Sequence, residues 1–122
     1  MIFVTADSCR SQLERLTQLL VAAFPGSTIY QHTDIFRVSH DVLNNRVDAV
    51  VLKAETEQTD SLDFMKMLHR QKPDMPVFII AKTEDLYEKA AAAGANGCFV
   101  LPEGEQRLLD AIRLAKNKEK IS

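Results

Sequence analysis

Lys53 closes the apolar run DAVVLK, Asp48 to Lys53. A run of this kind reads as a buried strand, and its last residue falls at the sheet edge where α/β proteins place their sites. A carboxylate there is equipped to attack phosphorus; an ammonium is not. Asp7 follows a second such run, IFVTA, and Lys82 a third, VFIIA. Asp7, Glu55 and Asp48 are the carboxylates that a metal site would draw on. Asp48 begins its strand and so belongs to the opposite sheet edge. Asp7 with Glu55 beside a lysine makes a poor Mg²⁺ site, because the ammonium repels the ion. Lys53 itself has two readings: a solvated strand-end charge, or an internal pair with Asp7. A partly exposed pair of that kind is worth roughly 0–1 kcal/mol. Lys53 and Lys82, beside the loop amides, also form a candidate anion site.

The other reactive side chains form no motif. His32, His40 and His69 lack ligand spacing to a cysteine or carboxylate and read as surface or half-buried residues. Cys98 reads as a small apolar strand residue. Cys9 falls in the first turn of a helix, where the dipole lowers a thiol pKa, although a plain, partly buried thiol is the commoner reading. An enzyme built on Cys9 would be a hidden-nucleophile case, but no phosphate loop, GxSxG or zinc motif accompanies it.

The elements that must position these residues alternate five times. Strands are expected at Ile2 to Ala6, Thr28 to Gln31, Val47 to Leu52, VFIIA after Pro76, and Cys98 to Leu101. The first helix, capped by Asp7 or Ser8, turns Leu13, Leu16, Leu19, Leu20 and Phe24 inward and stops at Pro25 and Gly26. A weaker second helix starts at Thr33 or Asp34 and buries Ile35, Val38, Val42 and Leu43. Asp60 or Ser61 caps the third after a polar loop from Glu55, with Leu62, Met65 and Leu68 inward and Met67 outward. Thr83 caps the fourth, which runs through alanines 90 to 93 to Gly94. The last spans Glu105 to about Lys118 on Leu108, Ile112 and Ala115. Five strand–helix alternations require right-handed crossovers and a parallel sheet covered on both faces. Continuous rather than alternating apolar strands fit that burial.

A chain of 122 residues suggests one domain with one core. Its formal net charge of −2 provides no strong field for phosphate backbones or anionic lipid, so neither nucleic acid nor membrane is an expected partner. Two cysteines without CxxC spacing read as reduced thiols of a cytoplasmic protein. MIFVTADS reads as a strand and cap rather than a signal peptide, and no apolar run approaches the ~18 residues of a membrane span.

Four stretches, IFVTADS, VDAVVLKAE, MPVFIIAKTED and AAAGANGCFVLPEG, carry a family likeness. Over about residues 1 to 116 the chain resembles the receiver domain of bacterial two-component response regulators. The resemblance implies a three-layer flavodoxin-like (βα)5 fold with a parallel sheet of order 2-1-3-4-5 and a site at the strands' carboxyl ends. The family holds Mg²⁺ on an acidic pair after the first strand and phosphorylates an aspartate ending the third. A Thr or Ser ends its fourth strand, and a lysine before a cis-proline ends its fifth. Here the acidic pair falls on Ala6 and Asp7, the phosphoacceptor on Lys53, the hydroxyl on Ala81 and the lysine on Leu101. The aromatic switch position falls on Cys98, beside Phe99. The chain is therefore similar to the degenerate, or pseudo-receiver, branch.

That likeness implies no catalytic residue, no metal and no cofactor. The expected role is a phosphorylation-independent interaction or dimerisation module in signalling or transcription control. In receivers the face of the fourth helix, fifth strand and fifth helix makes such contacts, which singles out Tyr87, Leu109 and Arg113. The alternative is a small-anion or small-ligand sensor at the strand-end crevice. Residues 1–118 form the expected domain, and 119–122 a tail or the start of a linker to an output domain.

Overall fold

In a computed structural model of the protein, the apolar runs pair as one parallel sheet. The structure describes the backbone of residues 1–54 and 60–121, with side chains as far as residue 117. The strands are β1 (Ile2–Ala6), β2 (Thr28–His32), β3 (Ala49–Lys53), β4 (Val77–Ala81) and β5 (Gly97–Val100). They lie in the order β2-β1-β3-β4-β5, as expected, and each neighbouring pair is parallel. Helices α1 (Arg10–Ala23), α2 (Val38–Asn44), α3 (Ser61–Gln71), α4 (Tyr87–Ala92) and α5 (Glu105–Ile121) complete the five crossover units.

Successive strand residues point to opposite faces, and both faces are covered. Val4, Val50, Leu52, Val77 and Ile79 meet Val38, Val42, Met65, Leu68 and Ala90 from α2, α3 and α4. Their neighbours Phe3, Val51, Phe78, Ile80 and Phe99 meet Leu16, Leu20, Leu108 and Ile112 from α1 and α5. This double burial is why the strands read as unbroken apolar runs.

Side-chain caps mark the starts of two helical segments. Asp60 accepts from the Leu62 N–H at 2.8 Å and starts α3. Asp34 accepts from the Phe36 N–H at 2.9 Å, but what it starts is a 3₁₀ turn, Ile35–Arg37, and α2 proper covers only Val38–Asn44. Leu43 is 47% exposed, contrary to expectation; it is turned about 100° from Val42 around so short a helix. Thr83 does not cap a backbone N–H. Its hydroxyl faces the Asp85 carboxylate at 3.4 Å, and a 3₁₀ turn, Glu84–Leu86, precedes α4. Gly94, with φ +102°, closes α4 in the left-handed conformation that glycine adopts without a Cβ clash. The last helix reaches Ile121, beyond the expected end near Lys118. Among the described residues no helix is long and apolar enough to cross a membrane.

Candidate functional site

Register brings the strand ends level. Ala6 pairs with Leu52, Lys53 with Ile80, and Ala81 with Val100. The chain leaves β5 through a cis peptide bond between Leu101 and Pro102. Ala6, Asp7, Lys53, Ala81, Lys82 and Leu101 therefore line one cavity of about 260 Å³ at the carboxyl edge of the sheet. Their separation in sequence is closed by the parallel topology alone. A larger, more open recess of about 780 Å³ adjoins it and shares Asp7, Lys53 and Lys82. Below Lys53 the backbone is pinned: its carbonyl accepts from the Ser61 hydroxyl, and Ala54 N–H donates to Ile80 O at 2.8 Å.

The Asp7–Lys53 pair is not formed; among the described residues neither side chain is in an ion pair. Asp7 is used locally instead. Its Oδ1 accepts from the Cys9 N–H at 2.9 Å, tying the β1 end to the start of α1. Glu55 lies outside the described residues. Among those described, no three His, Cys, Asp or Glu side chains converge on a metal-sized site. The Mg²⁺ that receivers with the full acidic pair hold does not fit what is here. Beside Asp7 stand an alanine and an ammonium, so a hard cation meets one carboxylate and a repelling charge.

Arg15 and Glu105, from α1 and α5, also line the cavity, together with Leu16, Leu19, Ile80 and Pro102. The sequence reading missed all of these as site residues. The available signal was the position of Arg15 on the flank of the α1 stripe, four residues before Leu19.

Cys9 is the N-cap residue of α1 and is exposed, rather than a partly buried thiol within the first turn. Its pKa is lowered by the Ser11 hydroxyl at 3.2 Å and by the Gln12 N–H, against weaker opposing effects of burial and Asp7. Cys98 packs against the core beside α4, and burial raises its pKa.

The candidate contact residues separate. Leu109 is buried, 7% exposed, in the core between the sheet, α1 and α5, so it is no surface contact. It lies about 100° from Leu108, within the wide stripe that a sheet-packed helix buries. Arg113 is exposed but stacks over Phe24 at 5.3 Å from the ring centre and pairs with Asp110 at 3.2 Å. It thus faces α1 rather than α4. Tyr87 is half-buried. Among the described residues of α5, Leu114 is an exposed large apolar side chain, 58% exposed. His32 does find a carboxylate, Asp41, across the β2–α2 connection. Asp48 lies at the opposite sheet edge, where it accepts from Ile2 N–H at 2.7 Å and Lys116 at 2.8 Å.

No protein-family profile matches the chain. Among curated proteins it is similar to the response regulator MprA of Mycobacterium sp. strain KMS, 27% identical over 112 residues, which cover 90% of this chain and 48% of that protein. The chain spans about half the length of the curated relatives it matches. Among solved structures, a response regulator receiver domain protein from Clostridium thermocellum superposes with a TM-score of 0.84 at 22% identity, covering 98% of this chain and 97% of that one. The beryllofluoride-activated NtrC4 receiver domain dimer gives 0.83 at 19% identity, covering 96% and 97%. The chain has the receiver fold of response regulators.

Proposed function

We propose that the chain is a receiver-type signalling domain that does not undergo phosphotransfer and acts through protein contacts. The observation that carries this is Lys53 at the mouth of β3, in a cavity whose other strand ends offer Ala6, Ala81 and Leu101. In-line attack on phosphorus needs a carboxylate there, a metal to neutralise the phosphoryl oxygens and a cation to meet the new charge. Lys53 stands in place of the carboxylate, Ala6 and Asp7 offer the metal one acid where the family has two, and Leu101 stands in place of the cation. The Lys53 ammonium gives the pocket a positive centre where a phosphoryl group would otherwise bring negative charge. The receiver fold supports a role in two-component signal transduction; the proposal extends it to transcription regulation, in the cytoplasm and not as an enzyme. Tyr87 and Leu114 are the contact residues proposed on the face of α4, β5 and α5, toward a protein partner or a second copy.

The test is light scattering after size exclusion, with and without beryllofluoride and Mg²⁺. The mass is expected to be the same in both, and Leu114→Glu is expected to weaken whatever assembly is seen. A shift in mass that requires both additives would mean that the pocket still takes a phosphoryl mimic.

A second reading, a small-ligand sensor at the same crevice, is favoured by one observation. Arg15, Lys53 and Lys82 converge on the cavity from three elements, and no ion pair holds any of them among the described residues.

A further inference from the structure

We infer that the strand-end cavity binds a small organic carboxylate with an apolar body. This rests on the ligand-sensing reading and gives it a ligand class.

Three features of the wall choose the ligand. The first is charge. Arg15, Lys53 and Lys82 face Asp7 and Glu105 around one cavity, leaving one net positive charge. Unpaired like charges that line one cavity repel, and a bound anion relieves that repulsion while making charge-assisted hydrogen bonds. A single excess charge matches a monoanion. A phosphate dianion would overcompensate it and bring its second charge against the two carboxylates.

The second feature is polarity. Leu16, Leu19, Ile80, Leu101 and Pro102 form the rest of the wall. A small inorganic ion would leave that surface in water, whereas an apolar body removes it at about 25 cal/mol per Å². Ala81 ends β4 and Leu101 follows the end of β5, so the apolar and cationic halves meet at one sheet edge. The third feature is size. About 260 Å³ lies just below the roughly 300 Å³ at which pockets for drug-sized ligands begin. A benzoate-sized acid fits that volume, with its carboxylate toward Lys53 and Lys82 and its ring toward Leu19 and Pro102.

The experiment is an amide chemical-shift titration of the folded chain with sodium benzoate. Acetate, benzamide and inorganic phosphate are the comparison probes, all at matched ionic strength. Benzoate is expected to saturate, with shifts centred on Lys53, Lys82 and Leu101. Acetate lacks the body and benzamide the charge, so each is expected to bind at least about tenfold more weakly. Lys82→Gln and Arg15→Gln, both at exposed positions that leave the core intact, are each expected to weaken benzoate by about tenfold. Equal binding of benzamide, or benzoate binding unchanged in both variants, overturns the proposal. Cation-dependent binding of phosphate with benzoate silent overturns the carboxylate class but leaves an anion sensor. Silence of every anion removes the sensing reading as well. None of these outcomes touches the absence of phosphotransfer, which beryllofluoride reads separately.

Discussion

A protonated ammonium offers no lone pair to phosphorus, so Lys53 decides the chemistry of its site at one atom. Replacing it does not by itself restore that chemistry. Lys53→Asp would supply a nucleophile, but Ala6 still lacks the second metal-binding carboxylate, and Ala81 and Leu101 provide neither hydroxyl nor cation. Intact-mass analysis after acetyl phosphate and Mg²⁺ is expected to show no phosphoryl adduct on Lys53→Asp. The fourfold variant Ala6→Asp, Lys53→Asp, Ala81→Thr and Leu101→Lys is the one expected to gain it. An adduct on the single variant would show that the missing groups are dispensable. At the other sheet edge Asp48 does structural work. Burial pushes its carboxyl pKa up, but the Lys116 ammonium, the Ile2 N–H and the charge of Arg46 outweigh this and leave it below its ordinary value of 3.8. The unfolded carboxyl therefore takes up its proton at higher pH than the folded one. The resulting stability is complete above the unfolded pKa and drains away as pH falls through the lower, folded value. Asp48→Asn is expected to cost about 1–3 kcal/mol at neutral pH, because it removes a charged acceptor from two hydrogen bonds. It should also flatten the loss of stability below about pH 4, as measured by urea unfolding across a pH series.

The central strands β1, β3 and β4 were readable because both of their faces are buried, which makes each a largely apolar run, whereas the edge strand β2, TIYQH, has no buried residue. The α1, α3 and α5 stripes were readable for the same reason, and so was the left-handed glycine after α4. What failed was local competition and tertiary choice. Asp34 and the Thr83–Asp85 contact start 3₁₀ turns that delay α2 and α4, so boundaries drawn from caps alone came too early. Leu109 was misplaced because a helix laid on a sheet buries more than one row of side chains. Nothing in sequence spacing joins Arg113 to Phe24, His32 to Asp41, or Arg15 and Glu105 to the strand-end cavity. Each depends on which helices end up side by side. Of the five pocket residues, Ala6, Lys53 and Ala81 end strands and Asp7 and Leu101 directly follow one, so all could be placed because topology alone carries strand ends together. The burial of Leu109 has a measurable consequence. Leu109→Ala is expected to destabilise by about 2–4 kcal/mol through a cavity between α1 and α5, whereas Leu114→Ala should stay within about 0.5 kcal/mol. Chemical denaturation of the two variants compares a buried with an exposed leucine on one helix.

One sheet divides two cores, and each strand contributes to both. Val50 and Leu52 face the α2–α4 side while Ala49 and Val51 face the α1–α5 side. Neither core can be lost without unpairing the strands that build the other. Unfolding is therefore expected to be a single cooperative step, as for most small domains. Leu68→Ala empties space beneath α3 and Ile112→Ala beneath α5, both from fully buried positions. Each is expected to shift the same transition, with far-UV circular dichroism and tyrosine fluorescence coinciding in urea. Two separable transitions, or probes that part company in only one variant, would mean that the faces fold independently. The same whole-molecule readout tests the metal argument without any assay of phosphorylation. A ligand that binds only the folded state adds RT ln(1 + [L]/Kd) to stability. With an alanine and an ammonium beside Asp7, Mg²⁺ has no folded-state site to fill. Its addition is expected to leave the melting temperature where an equal ionic strength of NaCl leaves it. In the fourfold variant, which restores the paired carboxylates, Mg²⁺ should raise the melting temperature above the NaCl control. A rise in the unaltered chain would place a cation site at the strand ends despite Lys53.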